Sequence, residues 1–166
     1  MPTTHAPSSN RLLASLDAVA LGRLLPHLTL LKVASGTVLF ESGTPQALVY
    51  FPVTATISLH YLAANGTVAA ISLVGEEGVI GIPLFLQEKI LPCSAVVRDA
   101  GYAFQISAAV LTSELNRPGP ALRLVLAYAR ELNAQLSQAA HCDVHGVPDQ
   151  KSCSDCAHAA RCPVAK

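Results

Sequence analysis

Charge is scarce in this sequence. Only 13% of its 166 residues are charged, and eleven basic residues cancel eleven acidic ones. A freestanding nucleic-acid binder carries a basic excess or a stripe of Lys and Arg, and neither is present. Also missing is any apolar run of the roughly 20 residues that a helical membrane span needs. Residues 1–9 lack the apolar core of a signal peptide, so the expected location is the cytoplasm. The five cysteines are an odd number, four of them crowded beyond residue 141, which excludes a secreted disulfide framework. His5, His27 and His60 are scattered, no Ser-His-Asp or Cys-His-Asp set is suggested, and the chain is not expected to be an enzyme. No internal repeat is visible.

What is present is apolar: 51% of the residues, in a length that suits one domain with a real core plus appendages. After a small, polar, frayed stretch at 1–9, Asn10 can cap a helix. Leu12, Leu13, Leu16, Val19, Leu21, Leu24 and Leu25 then follow helical spacing up to Pro26. The period changes next. Leu28–Val33, Thr37–Phe40 and Leu48–Phe51 are short apolar runs split by Ser35-Gly36 and Ser42-Gly43-Thr44-Pro45. Ile57, Leu59 and Tyr61 alternate with polar neighbours, Asn65-Gly66 is a strong hairpin signal, and Thr67–Val74 returns. Ser94–Arg98 is another strand-like run, and Asp99-Ala100-Gly101 turns into the alternation of Tyr102, Phe104 and Ile106. So many short strands at close spacing predict a sandwich or barrel-like β structure. Ser107 is read as the cap of a helix that Asn116-Arg117-Pro118-Gly119-Pro120 breaks.

Between two of these strands lies V-G-E-E-G-V-I-G-I-P-L-F, residues 74–85. Gly75, Gly78 and Gly81 let the backbone turn tightly and approach a ligand. Val79 and Ile80 lie between them, and a short helix opening near Gly81 would aim free N–H groups at an anion. The adjacent Glu76 and Glu77 also have a plain reading as solvated turn carboxylates. Together with Gly36–Gly43 (G-T-V-L-F-E-S-G) and Val49-Tyr50-Phe51-Pro52, this stretch resembles the effector domain of the Crp/Fnr transcription regulators. The resemblance covers about residues 10–142. It implies a cyclic-nucleotide-binding β-roll, a double-stranded β-helix of jelly-roll type with flanking helices, over residues 10–119. It also implies that residues 75–81 form a phosphate-binding cassette, with Glu76 on a ribose 2′-hydroxyl and the glycine-turn amides on the cyclic phosphate. In the family an Arg-Ser/Thr pair clamps that phosphate. Here Cys93-Ser94 stands in its place, and a thiol cannot offer the charged planar fork. The expected pocket lies between Ile71–Pro83 and Cys93–Val97, with its effector unknown: a cyclic nucleotide or another small molecule.

From Pro120 on, Leu122, Val125, Ala129, Leu132, Leu136 and Ala139 are spaced three, four, three, four, three, an a/d seam over nearly three heptads. One reading lays this helix on the roll. The other, which the family's dimer helix favours, pairs residues 120–141 with a second copy. The tail, 142–166, is expected to be disordered and reduced. Its Cys142, His145, Cys153 and Cys156 are at spacings zinc tolerates, a minority reading. Twenty-five residues are too few for the helix-turn-helix that follows the dimer helix in the family, so no DNA binding by this chain alone is expected. A stand-alone sensor, a truncated relative and a frame lost after His145 all stay open. The expectation is a regulatory, homodimeric, effector-sensing domain. The alternatives are a ligand-free dimeric interaction module, or a redox- or zinc-responsive sensor acting through the cysteines.

Overall fold

The computed structural model describes residues 5–62, 66, 68–82, 84, 90–117 and 119–144, with side chains except at 62, 69 and 135–144. The helical spacing before Pro26 resolves into two helices, α1 (Arg11–Ala14) and α2 (Ala18–Leu24), with a 3-10 turn at Leu25–His27. Asp17 breaks the run. Its carboxylate accepts from the N–H groups of Val19 (3.0 Å) and Ala20 (2.9 Å), a side-chain cap that holds Asp17 extended and restarts the helix. Pro26 then falls inside the 3-10 turn.

Seven strands follow: β1 (Thr29–Val33), β2 (Val38–Phe40), β3 (Leu48–Pro52), β4 (Thr56–Leu62), β5 (Val68–Val74), β6 (Cys93–Asp99) and β7 (Gly101–Ser107). They form two antiparallel sheets, ordered β1-β7-β3 and β2-β6-β4-β5. Val49, Phe51, Phe104 and Ile106 of the first sheet join one apolar core with Phe40, Ile57, Val74, Ala95 and Val97 of the second. Leu12, Leu13 and Leu24 enter the same core from α1 and α2. This is the double-sheet roll with flanking helices that the strand spacing and the family resemblance imply. Burial drives it, each fully buried Leu, Ile or Phe contributing about 1.5–3 kcal/mol.

Of the four places where the chain changes sheets among the described residues, the two after β3 and β6 are tight and meet. Between β3 and β4 the amides of Val53 and Thr54 donate to the Tyr102 carbonyl, at 2.9 and 3.2 Å. Between β6 and β7 stands Gly101, where a Cβ would come 2.5 Å from the Thr54 carbonyl carbon and the Ala55 nitrogen. Only glycine lets the two crossovers touch.

Two helices close the domain. α3 (Ala108–Leu115) packs Leu111 and Leu115 into the core, and α4 runs from Pro120 to Val144. Ser107 occupies the N-cap of α3 as expected, yet its side chain makes no cap bond. The Ala108 amide instead donates to the Ala47 carbonyl at 2.8 Å, tying the start of α3 to the residue that leads into β3. The Asn65-Gly66 hairpin and the helix expected after Gly81 lie largely outside the described residues.

Candidate functional site

The turn after β5 is held from two sides. Asn10, fully buried, uses its whole amide group. Its Oδ1 accepts from the Leu12 and Leu13 amides, both at 3.1 Å, and caps α1. Its Nδ2 donates to the carbonyls of Pro52 (2.8 Å) and Gly78 (2.9 Å). Next to it the Arg11 amide donates to the Glu76 carbonyl at 2.7 Å, and the Arg11 guanidinium pairs with the Glu76 carboxylate at 3.1 Å. The cap of the first helix is therefore also a clamp on the turn at 75–78.

From the other side comes α4. Its Tyr128 hydroxyl lies where a Cβ on residue 78 would be, and that Cβ would also come 2.6 Å from Val74 Cγ1. Gly78 is thus the residue that admits the tyrosine. Burial pushes the Tyr128 hydroxyl up from its ordinary pKa, a backbone hydrogen bond from Val79 offsets part of the rise, and the nearby Glu77 carboxylate adds to it.

The turn's polar groups are largely spent within the protein. The Gly75 amide donates to the Glu77 carboxylate (3.1 Å), the Gly78 amide to the Gly75 carbonyl (3.1 Å) and the Ile80 amide to the Tyr50 carbonyl (2.8 Å). Val79 and Ile80 are 2% and 1% exposed, so their side chains are core rather than pocket wall. Gly81 is in the left-handed region at φ 105°, packed beside Val49 and Leu84. The residue that follows it is Ile82, not a carboxylate.

Strand register decides how the expected pocket residues relate. Ile57 of β4 pairs with Val74, the last residue of β5 before the Gly75 turn. Cys93 pairs with Tyr61 and Ser94 with His60, near the other end of β4. Four residues of strand separate the two points, on the order of 13 Å. Cys93 and Ser94 therefore stand beside the far end of β4 from the point where β5 runs into the Glu76 turn. The carboxylate expected to take a hydroxyl ligand is half-exposed and paired with Arg11 instead.

Cys93 is half-buried and packs against the core, and burial pushes its thiol pKa up. A half-buried thiol whose pKa is raised packs as an apolar side chain. Of the zinc-spaced set, Cys142 falls in the last turn of α4 with its side chain outside the described residues, and His145, Cys153 and Cys156 lie outside them altogether. No cluster of three metal-ligating side chains occurs among the described residues.

The seam of α4 splits between two faces. Val125, counted in it, is 8% exposed and faces its own roll together with Ala121, Leu124 and Tyr128. Leu122 and Leu126, at 38% and 57% exposure, stand on the neighbouring outward stripe. Ala129 and Leu132 are half-buried, and the side chains of Leu136 and Ala139 lie outside the described residues. An a/d count cannot separate two stripes one residue apart on a helix. Sequence reasoning also missed Tyr128 and saw in Asn10 a cap alone. The available signal for Tyr128 was its being the one tyrosine in an otherwise aliphatic and polar helix with no phenylalanine.

A further polar cluster pins α2 to α3. Arg23 makes a two-pronged pair with the buried Glu114 carboxylate, Nε to Oε2 at 2.7 Å and Nη2 to Oε1, and Arg117 stands 3.5 Å from Oε2. The Arg23 bond holds the Glu114 pKa below its ordinary value against the opposing effect of burial.

No known protein-family profile and no curated protein matches this chain. Solved structures do. The sensor domain of the transcriptional regulator DNR from Pseudomonas aeruginosa is 19% identical, with 87% of this chain and 92% of that one covered at a TM-score of 0.58. The c-di-GMP-responsive global regulator CLP from Xanthomonas campestris is 16% identical over 76% of this chain and 64% of its own, TM-score 0.65. The catabolite activator protein of Thermus thermophilus is 18% identical over 84% and 62%, TM-score 0.60. The chain thus spans under two thirds of the two longer regulators and nearly all of the isolated sensor domain. Two antiparallel sheets, flanking helices and a long closing helix give this chain the β-roll fold of the sensor domains of Crp/Fnr-type regulators.

Proposed function

We propose that this chain is the effector-sensing, non-enzymatic regulatory domain of a cytoplasmic Crp/Fnr-type transcription regulator, acting as a homodimer through α4. The observation that carries the reading is the placement of the glycine turn after β5. It is held between the first helix and α4, the only described helix long enough to carry a signal out of the roll. Leu122 and Leu126 offer α4 an outward apolar stripe for a second copy. No helix among the described residues is long and apolar enough to cross a membrane.

The effector differs from the family's usual one. Phosphate recognition favours a charged fork, and Cys93 supplies an uncharged thiol. Glu76 is paired with Arg11, and the amides of Gly75, Gly78 and Ile80 have partners within the protein. Cyclic AMP and cyclic GMP are therefore expected to bind weakly or not at all. Titration calorimetry with both, with cyclic di-GMP and with a panel of nucleotides tests this. Micromolar binding of cyclic AMP that is lost in Glu76→Ala would show that the arginine is dispensable. The turn groups already bonded within the protein favour a second reading, a ligand-free dimeric module that docks a partner protein. A panel with no binder, together with an intact dimer, selects it. Neither reading has this chain binding DNA alone, and retardation of duplex DNA at physiological salt would count against both.

A further inference from the structure

We infer that helix α4 is itself the occupant of the glycine turn, with the Tyr128 hydroxyl standing where an effector's hydroxyl or oxyanion would meet the Val79 amide. The inference rests on the sensor reading only for its consequence, not for its geometry. Three observations converge. Gly78 leaves a pit that any side chain would close, and the tyrosine hydroxyl fills it. The Val79 amide hydrogen-bonds that hydroxyl, and Glu77 faces it from the same turn. The turn cannot yield toward the helix without cost, because Asn10 holds the Gly78 carbonyl and Arg11 holds the Glu76 carbonyl from behind.

Turn and helix consequently move as one body while the bond stands. A molecule that takes the Val79 amide must expel the tyrosine, and Tyr128 shares α4 with the outward Leu126 two residues before it. Release of the turn is thereby release of the helix face that a second copy would contact. The charged group that acts on the hydroxyl is Glu77 on the turn.

The test is amide hydrogen exchange on the full chain without any ligand, comparing wild type with Tyr128→Phe. Losing a hydrogen bond that closes a local structure should speed exchange of the Val79 amide roughly tenfold. Amides of α4 between residues 120 and 132 should speed up with it, while β7 amides stay unchanged. The exposed Tyr61→Phe serves as control and leaves both regions as they are. Gly78→Ala, which pushes the tyrosine out by sterics, should reproduce the effect where it folds. No acceleration at Val79 in Tyr128→Phe, or acceleration there with α4 unchanged, overturns the inference. No ligand enters this experiment, so a failed nucleotide titration leaves it standing. Equally, a failed exchange test leaves a sensor without this latch.

Discussion

Asn10 shows how one side chain can join two distant parts of a chain. Its oxygen caps α1 and its nitrogen bridges the carbonyls of Pro52 and Gly78, all in a site with no exposure to water. Asn10→Ala removes the cap and leaves two buried carbonyls unpaired, an expected loss of roughly 2–4 kcal/mol in urea denaturation. Arg11→Ala, by contrast, breaks only an exposed pair and should cost about 1 kcal/mol or less in the same assay. Gly101→Ala is expected to destabilise by about 1–3 kcal/mol or more, since its Cβ meets backbone that cannot step aside. Cys93, with its thiol pKa raised by burial, should react slowly with alkylating reagents in the native protein. Mass-spectrometric timing of its label against the same residue in urea measures this.

At the scale of elements, α4 carries two apolar stripes with different tasks. Ala121, Val125 and Tyr128 serve the roll, and Leu122 and Leu126 face outward. Leu126→Glu should turn a dimer into a monomer in sedimentation without loss of folded structure, because it puts a charge only where a second copy would bury it. Val125→Ala should do the reverse, lowering stability by about 1–3 kcal/mol with the association state kept. A monomeric wild type would remove the dimer from the proposal. The helical spacing was legible in the sequence, and so was the apolar character of the helix. The division into stripes was not, since positions one residue apart are equally apolar and only contact with the roll tells them apart. Much the same holds for the first helical region. Its spacing was readable, while the break at Asp17 came from a local side-chain cap that competes with the periodicity.

For the whole molecule, the acid limb of stability is set partly where α2 meets α3. Glu114 has a folded-state pKa depressed below its ordinary 4.5 by the Arg23 bond. Its pair therefore stabilises the fold fully above that ordinary value, and the contribution fades as pH falls through the lower folded value. Thermal unfolding followed from neutral pH into this acid range should show a steeper fall for wild type than for Glu114→Gln. The variant should also be less stable at neutral pH. Equal acid slopes for the two proteins would mean that another carboxylate governs the limb.

The sequence by itself determined the class of this protein. Alternation of period two over short runs, with glycine-rich turns between them, is a local property of the chain, and it is enough to predict a sandwich or barrel-like β structure, while the roll with flanking helices was what the family resemblance implied. The glycine turn and the missing arginine were equally visible, because residue types and their order are local facts. What only the tertiary structure decided is which of these residues meet. The antiparallel register of β4 with β5 and β6 places Val74, where the glycine turn begins, and Cys93 at opposite ends of β4. A buried asparagine 68 residues from Gly78, and a tyrosine 50 residues beyond it on another element, became partners of the turn. Such contacts depend on the packing of whole elements against one core, and no spacing rule within a single segment encodes them.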